Sequence, residues 1–222
     1  MPPLRPPESP VAYPPQLAGR GPAATARPAR RPRVLVLLGI DGAGKTTAAR
    51  TLVAAERAAG RRATVVRNRS GRRWMTRTAH RLGRDLPPAW ADPVETVVRT
   101  LNVLAAHARA GVGGGLVVMD RHVACQLVLR VVRGLPPGRL LPWLSDRLLR
   151  GAAVVVLDLP AEAAHARILA RGEDEESLGF LRASRAAYLE LAERRGWAVV
   201  DAGGTPRSVG ARLRRVAEAG AR

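Results

Sequence analysis

The chain has 222 residues, 46% of them apolar, which suffices for one α/β domain with a substantial core. Aromatics make up only 3%, so leucine, valine and alanine must pack that core, and the one cysteine, Cys125, excludes an internal disulfide and fits a reducing cytoplasm. The net charge of +19 raises a nucleic-acid partner, whereas no apolar run reaches the roughly 18 residues that would span a membrane.

Residues 1–31 carry nine prolines and a single acid, Glu8. Such a segment cannot bury enough apolar surface to offset its ordering entropy, and it also lacks the apolar core of a signal peptide. It reads as a disordered tail ahead of one domain over 32–222. From Arg33 onward apolar runs alternate with helical periodicity. Strands are expected at Val34–Leu38, Ala63–Val66, Leu116–Met119, Ala153–Leu157 and Ala198–Val200. Helices are expected over about Lys45–Ala59, up to about Leu82, and over Val123–Val132, Arg139–Leu149 and Ala161–Ala170. Two more run up to Arg195 and over about Pro206–Glu218. Asp92-Pro93 reads as an N-cap followed by proline at the first helical position, opening a helix through Ala110. Val94, Val97, Val98, Leu101 and Leu104 share one face of it. Strands alternating with helices predict an α/β doubly wound parallel sheet of five strands, whose ligands sit at the carboxyl ends of the strands.

The first strand leads directly into Gly39-Ile40-Asp41-Gly42-Ala43-Gly44-Lys45-Thr46-Thr47, which contains Gly-x-x-x-x-Gly-Lys-Thr, and a helix follows. That order, strand then loop then helix, is what a phosphate-cradling loop requires. Glycines let the backbone aim several N–H groups at one anion, and the positive end of the helix adds to the field. The motif implies a nucleoside triphosphate, with Lys45 on the outer phosphates and the Thr46 hydroxyl on Mg²⁺. Composition sharpens the point: Lys45 is the only lysine, against 36 arginines. A compact ammonium wrapped by a loop is a position that the wider, planar guanidinium cannot imitate.

Strand ends supply the other candidates. Asp120, after the third strand, suits a role at Mg²⁺, with capping of the next helix as the alternative; Arg121 beside it can neutralise phosphate oxygens. Arg67 ends the second strand, facing the same crevice. Asp158, after the fourth, reads as structural. Arg167 and Arg171 stand i, i+4 on one helix, where plain surface charge is the alternative. Nine arginines and no acid lie between Arg61 and Arg84, the one concentrated basic stretch in a chain whose arginines are otherwise dispersed.

The loop, with the aspartate inside it, resembles that of thymidylate kinases. So do Asp120-Arg121-His122, the run Leu157-Asp158-Leu159-Pro160 through Arg167-x-x-x-Arg171-Gly172, Ala187-Tyr188-Leu189-Glu190-Leu191-Ala192 and Val199-Val200-Asp201-Ala202. The resemblance covers about residues 33–217. It implies a P-loop nucleotide kinase fold, ATP and Mg²⁺, and a nucleoside monophosphate acceptor. It further implies that Asp41 contacts the acceptor sugar or the metal shell, that Arg67 approaches the acceptor phosphate, and that Arg99 and Gln126 lie at the base. For Arg99, an ion pair with Glu95 is the alternative. Several positions depart from the family pattern. Glu95 stands where a stacking Phe is usual and Leu129 where a pocket Tyr is usual. The lid is short and carries Glu173-Asp174-Glu175-Glu176 without the arginine of its tip. Three readings therefore stand side by side: a kinase acting on dTMP or a related monophosphate, a phosphotransferase acting on another acceptor such as a nucleic-acid end, and a nucleotide-binding protein without catalysis. A homodimer is compatible with all three.

Overall fold

The computed structural model describes residues 34–68, 96–97, 100–108, 115–136, 138–172 and 176–219. The tail, the predicted helix ending near Leu82 and residues 173–175 of the acidic lid lie outside the described residues. Five strands pair in parallel in the order β2-β3-β1-β4-β5: β1 (Val34–Leu38), β2 (Ala63–Arg67), β3 (Leu116–Asp120), β4 (Ala153–Asp158) and β5 (Ala198–Asp201). Among the described residues the helices are α1 (Lys45–Ala58), α2 (residues 100–108), α3 (Ala124–Val132), α4 (Leu140–Leu149), α5 (Ala161–Leu169), α6 (Leu178–Arg195) and α7 (Pro206–Ala219). This is the α/β, P-loop NTPase-type arrangement that the alternation predicts.

The reason lies in β1. Leu35, Val36, Leu37 and Leu38 are all fully buried, so both faces of the strand are covered, as a central parallel strand requires. Each such leucine contributes about 1.5–3 kcal/mol by leaving water. Alpha-helical layers form around it from two packed pairs, α1 with α7 and α3 with α6. Helix ends follow local chemistry. The Ser177 hydroxyl accepts from the Phe180 N–H at 3.2 Å to start α6, and Gly196 in the left-handed conformation ends it.

Two differences from the sequence reading carry information. β2 to β5 each run one residue past the apolar stretch, to Arg67, Asp120, Asp158 and Asp201. Ladder hydrogen bonds need no apolar side chain, so pairing continues where the apolar run has ended. The extension puts Arg67 opposite Asp120, and Asp158 opposite Asp201, on the carboxyl edge of the sheet. The second difference is the buried face of α2. Val103 and Ala106 enter the core, whereas Leu101 and Leu104 stay outside it, as does Val97 one turn earlier. Val94 and Val98 lie outside the described residues, and the described members of the apolar stripe read from the sequence face outward.

Several arginines are consumed as internal staples. Arg61, the first of the basic stretch, donates twice to the buried carboxylate of Glu56, at 2.6 and 2.7 Å. Arg212 donates to the carbonyls of Asp201 and Gly203 at 2.9 and 3.1 Å, fixing the turn after β5. No helix among the described residues is long and apolar enough to cross a membrane.

Candidate active site at the carboxyl edge of the sheet

Between β1 and α1 the chain makes a tight loop, closed by a hydrogen bond from Ala43 N–H to the Ile40 carbonyl at 3.3 Å. Its glycines are required for two separate reasons. Gly39, Gly42 and Gly44 all have φ near or above +80°, the region open to glycine. In addition, a Cβ on Gly39 would lie 2.5 Å from the Leu157 carbonyl oxygen, and one on Gly42 would overlap the carbonyl of Ala164. The loop is thus pressed onto β4 and α5. Gly44 caps α1 with no side-chain acceptor, and no acid sits in the first turn, which leaves the N–H groups of Lys45, Thr46 and Thr47 for an external anion.

Lys45 is buried, 6% exposed, and its ammonium donates to the carbonyls of Gly39 at 2.9 Å and Ile40 at 2.7 Å, and to Asp41 Oδ1 at 3.3 Å. Arg121, directly after β3, donates to the same Asp41 oxygen. Both partners of that pair are about one-third exposed, at 32% and 34%. Burial alone would raise the Asp41 carboxyl, but the cations of Lys45 and Arg121 outweigh it and hold the group well below the usual carboxylate range. Burial disfavours the Arg121 cation, and Asp41 more than offsets that. One loop carboxylate therefore gathers the two cations that a phosphate group would need.

Thr46 opens toward β3, where its hydroxyl hydrogen-bonds Asp120 Oδ2. Asp120 is 5% exposed, and its other oxygen, Oδ1, is buried with no hydrogen-bond partner among the described residues. A buried carboxylate oxygen left bare beside a threonine hydroxyl is a donor set suited to a hard divalent cation. Mg²⁺ fits these residues.

Arg121 has φ of 73°, and it is the one non-glycine with positive φ among the described residues. That conformation costs on the order of 1 kcal/mol or more for a side chain such as arginine. Its neighbour His122 is fully buried, with Nε2 3.3 Å from Nε2 of His107 on α2 and the two rings edge to face. Burial, and then the proximity of His107, push His122 down to about 3; burial also lowers His107.

Above about pH 6.5 both states of His122 are neutral. Between that value and about 3 only the unfolded chain takes up the proton, so stability falls with acid by about 1.4 kcal/mol per pH unit for each such proton. In metal-free buffer the urea midpoint should drop steadily from pH 7 to pH 5, and His122→Gln should flatten that slope. An equal slope in both proteins would show that the buried histidine is not the cause.

Relatives of known name match this chain. Thymidylate kinases from Xanthomonas campestris pv. campestris strain B100 and strain 8004 are each 32% identical to it over 181 residues, covering 79% of this chain and 78% of theirs. The chain belongs to the thymidylate kinase family. No family model matches it.

For a thymidylate kinase-family chain, the structure brings most of the sequence-derived residues to one edge. Gly39, Asp41, Gly42, Ala43, Gly44, Lys45, Thr46 and Thr47 form the loop and the start of α1, with Asp120 and Arg121 beside them and Arg67 in register with Asp120. Arg167, exposed on α5, extends to the loop: a Cβ on Gly44 would lie 3.9 Å from its Nη1. Arg171 is exposed, and its Nε donates to the Arg167 carbonyl at 3.1 Å, folding it back on its own helix. Gln126 on α3 is fully buried, and neither end of its carboxamide has a partner among the described residues. Arg99 and Glu95 lie outside the described residues. Asp158, taken as structural, is held by two hydrogen bonds from Arg185 at 2.6 and 2.9 Å. Sequence reasoning missed Arg185, His107 and the buried Asn68, because each acts through a partner distant in the chain.

Proposed function

We propose that this protein transfers the γ-phosphoryl group of ATP to the phosphate of a nucleoside monophosphate, dTMP or a close relative. The observation that supports this most is the convergence of Lys45, Arg121, Thr46 and Asp120 within one loop's reach. An acceptor phosphate oxygen attacks the γ-phosphorus, the bond to the β–γ bridging oxygen breaks, and ADP leaves. Such a reaction asks for alignment and charge neutralisation more than for covalent chemistry. Lys45 would exchange its loop oxygens for the outer phosphates. Arg121 and Arg167 would bear on the transferring group, with Arg171 joining when it leaves its helix. Thr46 and Asp120 would hold Mg²⁺, which when bound neutralises the phosphate oxygens. Asp41, relieved of two cations, would turn to the acceptor sugar, and Arg67 would meet the acceptor phosphate.

The base side of this reading is less demanding of its ligand. Leu129 stands in place of a pocket Tyr and Glu95 in place of a stacking Phe, which leaves Gln126 and Arg99 as base-edge groups. Two hydrogen-bonding side chains should give roughly 10- to 200-fold preference among bases, well short of a tightly matched polar site. Comparing kcat/KM for dTMP, dUMP, dCMP, dGMP and dAMP under one set of conditions checks this. A preference for dTMP above about a thousandfold would contradict it.

The outward stripe of α2 favours a homodimer. Val97, ahead of α2, and Leu101 and Leu104 on it are spaced i, i+4 and i+7, and their exposures are 56%, 61% and 42%. Leu101→Glu is expected to convert a dimer to a monomer in sedimentation while leaving the circular dichroism spectrum unchanged. A wild-type monomer at micromolar concentration would contradict the assignment.

A further inference from the structure

Asn68 follows β2 directly and is 1% exposed. Its side-chain Nδ2 donates to the Arg121 carbonyl at 2.7 Å, and its backbone N–H donates to the Asp120 carbonyl at 3.0 Å. On the other flank, the Arg121 N–H donates to the Leu37 carbonyl of β1 at 3.3 Å. The left-handed turn at Arg121 is therefore gripped from both neighbouring strands. Asn68 makes this grip at a cost, because its Oδ1 is buried with no hydrogen-bond partner among the described residues. An apolar side chain of the same size would avoid that cost, so packing alone does not explain a carboxamide here.

Its role follows from backbone geometry. In the left-handed conformation, φ 73°, the Arg121 side chain reaches Asp41 in the loop. A relaxed φ would swing the Cα–Cβ bond away from that direction. We infer that Asn68 is a positioning residue: it holds Arg121 in its strained backbone state and so keeps the guanidinium at the phosphate loop. This rests on the proposed phosphoryl transfer only for its consequence in turnover; the positioning can be read separately.

Two readouts separate the parts. The first is the Arg121 Nη–H signal in ¹⁵N-labelled full-length protein, from the nitrogen that donates to Asp41, identified by its loss in Arg121→Lys. In the wild type, held by Asp41, it should exchange slowly and stand apart from the surface arginines. In Asn68→Ala, and in the similarly sized but apolar Asn68→Leu that also lacks the donor, it should collapse into their envelope. The second readout is turnover: kcat should fall roughly 10- to 100-fold in both variants, with the dissociation constant for ATP changed less than about threefold. An unmoved resonance in either folded variant overturns the inference. A collapsed resonance with unchanged kcat upholds the positioning and removes Arg121 from the proposed reaction. If Asn68→Ala does not fold, Asn68→Leu decides alone.

Discussion

Lys45→Arg is expected to behave as Lys45→Ala does, folded but without measurable ATP turnover, although it keeps the positive charge. The ammonium is enclosed by the carbonyls of Gly39 and Ile40 and the carboxylate of Asp41, three acceptors for three donors, at 2.9, 2.7 and 3.3 Å. A guanidinium offers five N–H groups in a flat fork. It cannot fold into a cage whose walls are fixed by Gly39 against Leu157 and Gly42 against Ala164. The side chain must leave the loop, and with it goes the cation proposed to meet the outer phosphates. A loss of at least about a thousandfold in kcat/KM, near 4 kcal/mol, is the scale expected of a principal electrostatic contact. Retention of even a tenth of the wild-type rate would show that the enclosed ammonium is replaceable.

Asp120→Asn should separate stability from activity. The substitution keeps the shape, so the contact with Thr46 and the ladder with β1 and β2 persist. It removes a charge from a group that is 5% exposed and whose Oδ1 has no partner among the described residues. Burying an uncompensated carboxylate costs more than burying an amide, so the melting temperature without metal should hold or rise. Turnover should fall by roughly a hundredfold or more, and the Mg²⁺ concentration needed for half-maximal rate should increase. Should the variant lose several degrees of stability and retain its Mg²⁺ dependence, Asp120 would be a structural cap, the alternative that its sequence position allowed.

What the sequence shows and what it hides divides along physical lines. The loop was legible because Gly39, Gly42, Gly44, Lys45 and Thr46 act through local backbone geometry, which a motif records directly. The strands were legible as apolar runs, but their last residues were not. Arg67, Asp120, Asp158 and Asp201 continue the ladder through backbone bonds that leave no mark in hydropathy. Periodicity found the stripe of α2 and could not say which side it faces. Val103 and Ala106 take the core, and Val97, Leu101 and Leu104 are left outside. Long-range polar contacts were invisible altogether. Asn68 lies 53 positions from Arg121, and Arg185 lies 27 from Asp158. The one hint was that Asn68 is an uncharged polar residue among arginines at a strand end.

The central claim is that this loop, with its two cations and its bare carboxylate oxygen, moves phosphoryl groups between nucleotides. The most direct measurement incubates the full-length protein with Mg²⁺, ATP labelled at the γ-phosphorus, and each nucleoside monophosphate in turn, and then follows the label. The account predicts that label appears in a nucleoside diphosphate in step with ADP, dTMP being among the acceptors, and that Lys45→Ala abolishes it. Label that stays in ATP with every monophosphate, or that appears only as inorganic phosphate, would contradict the account.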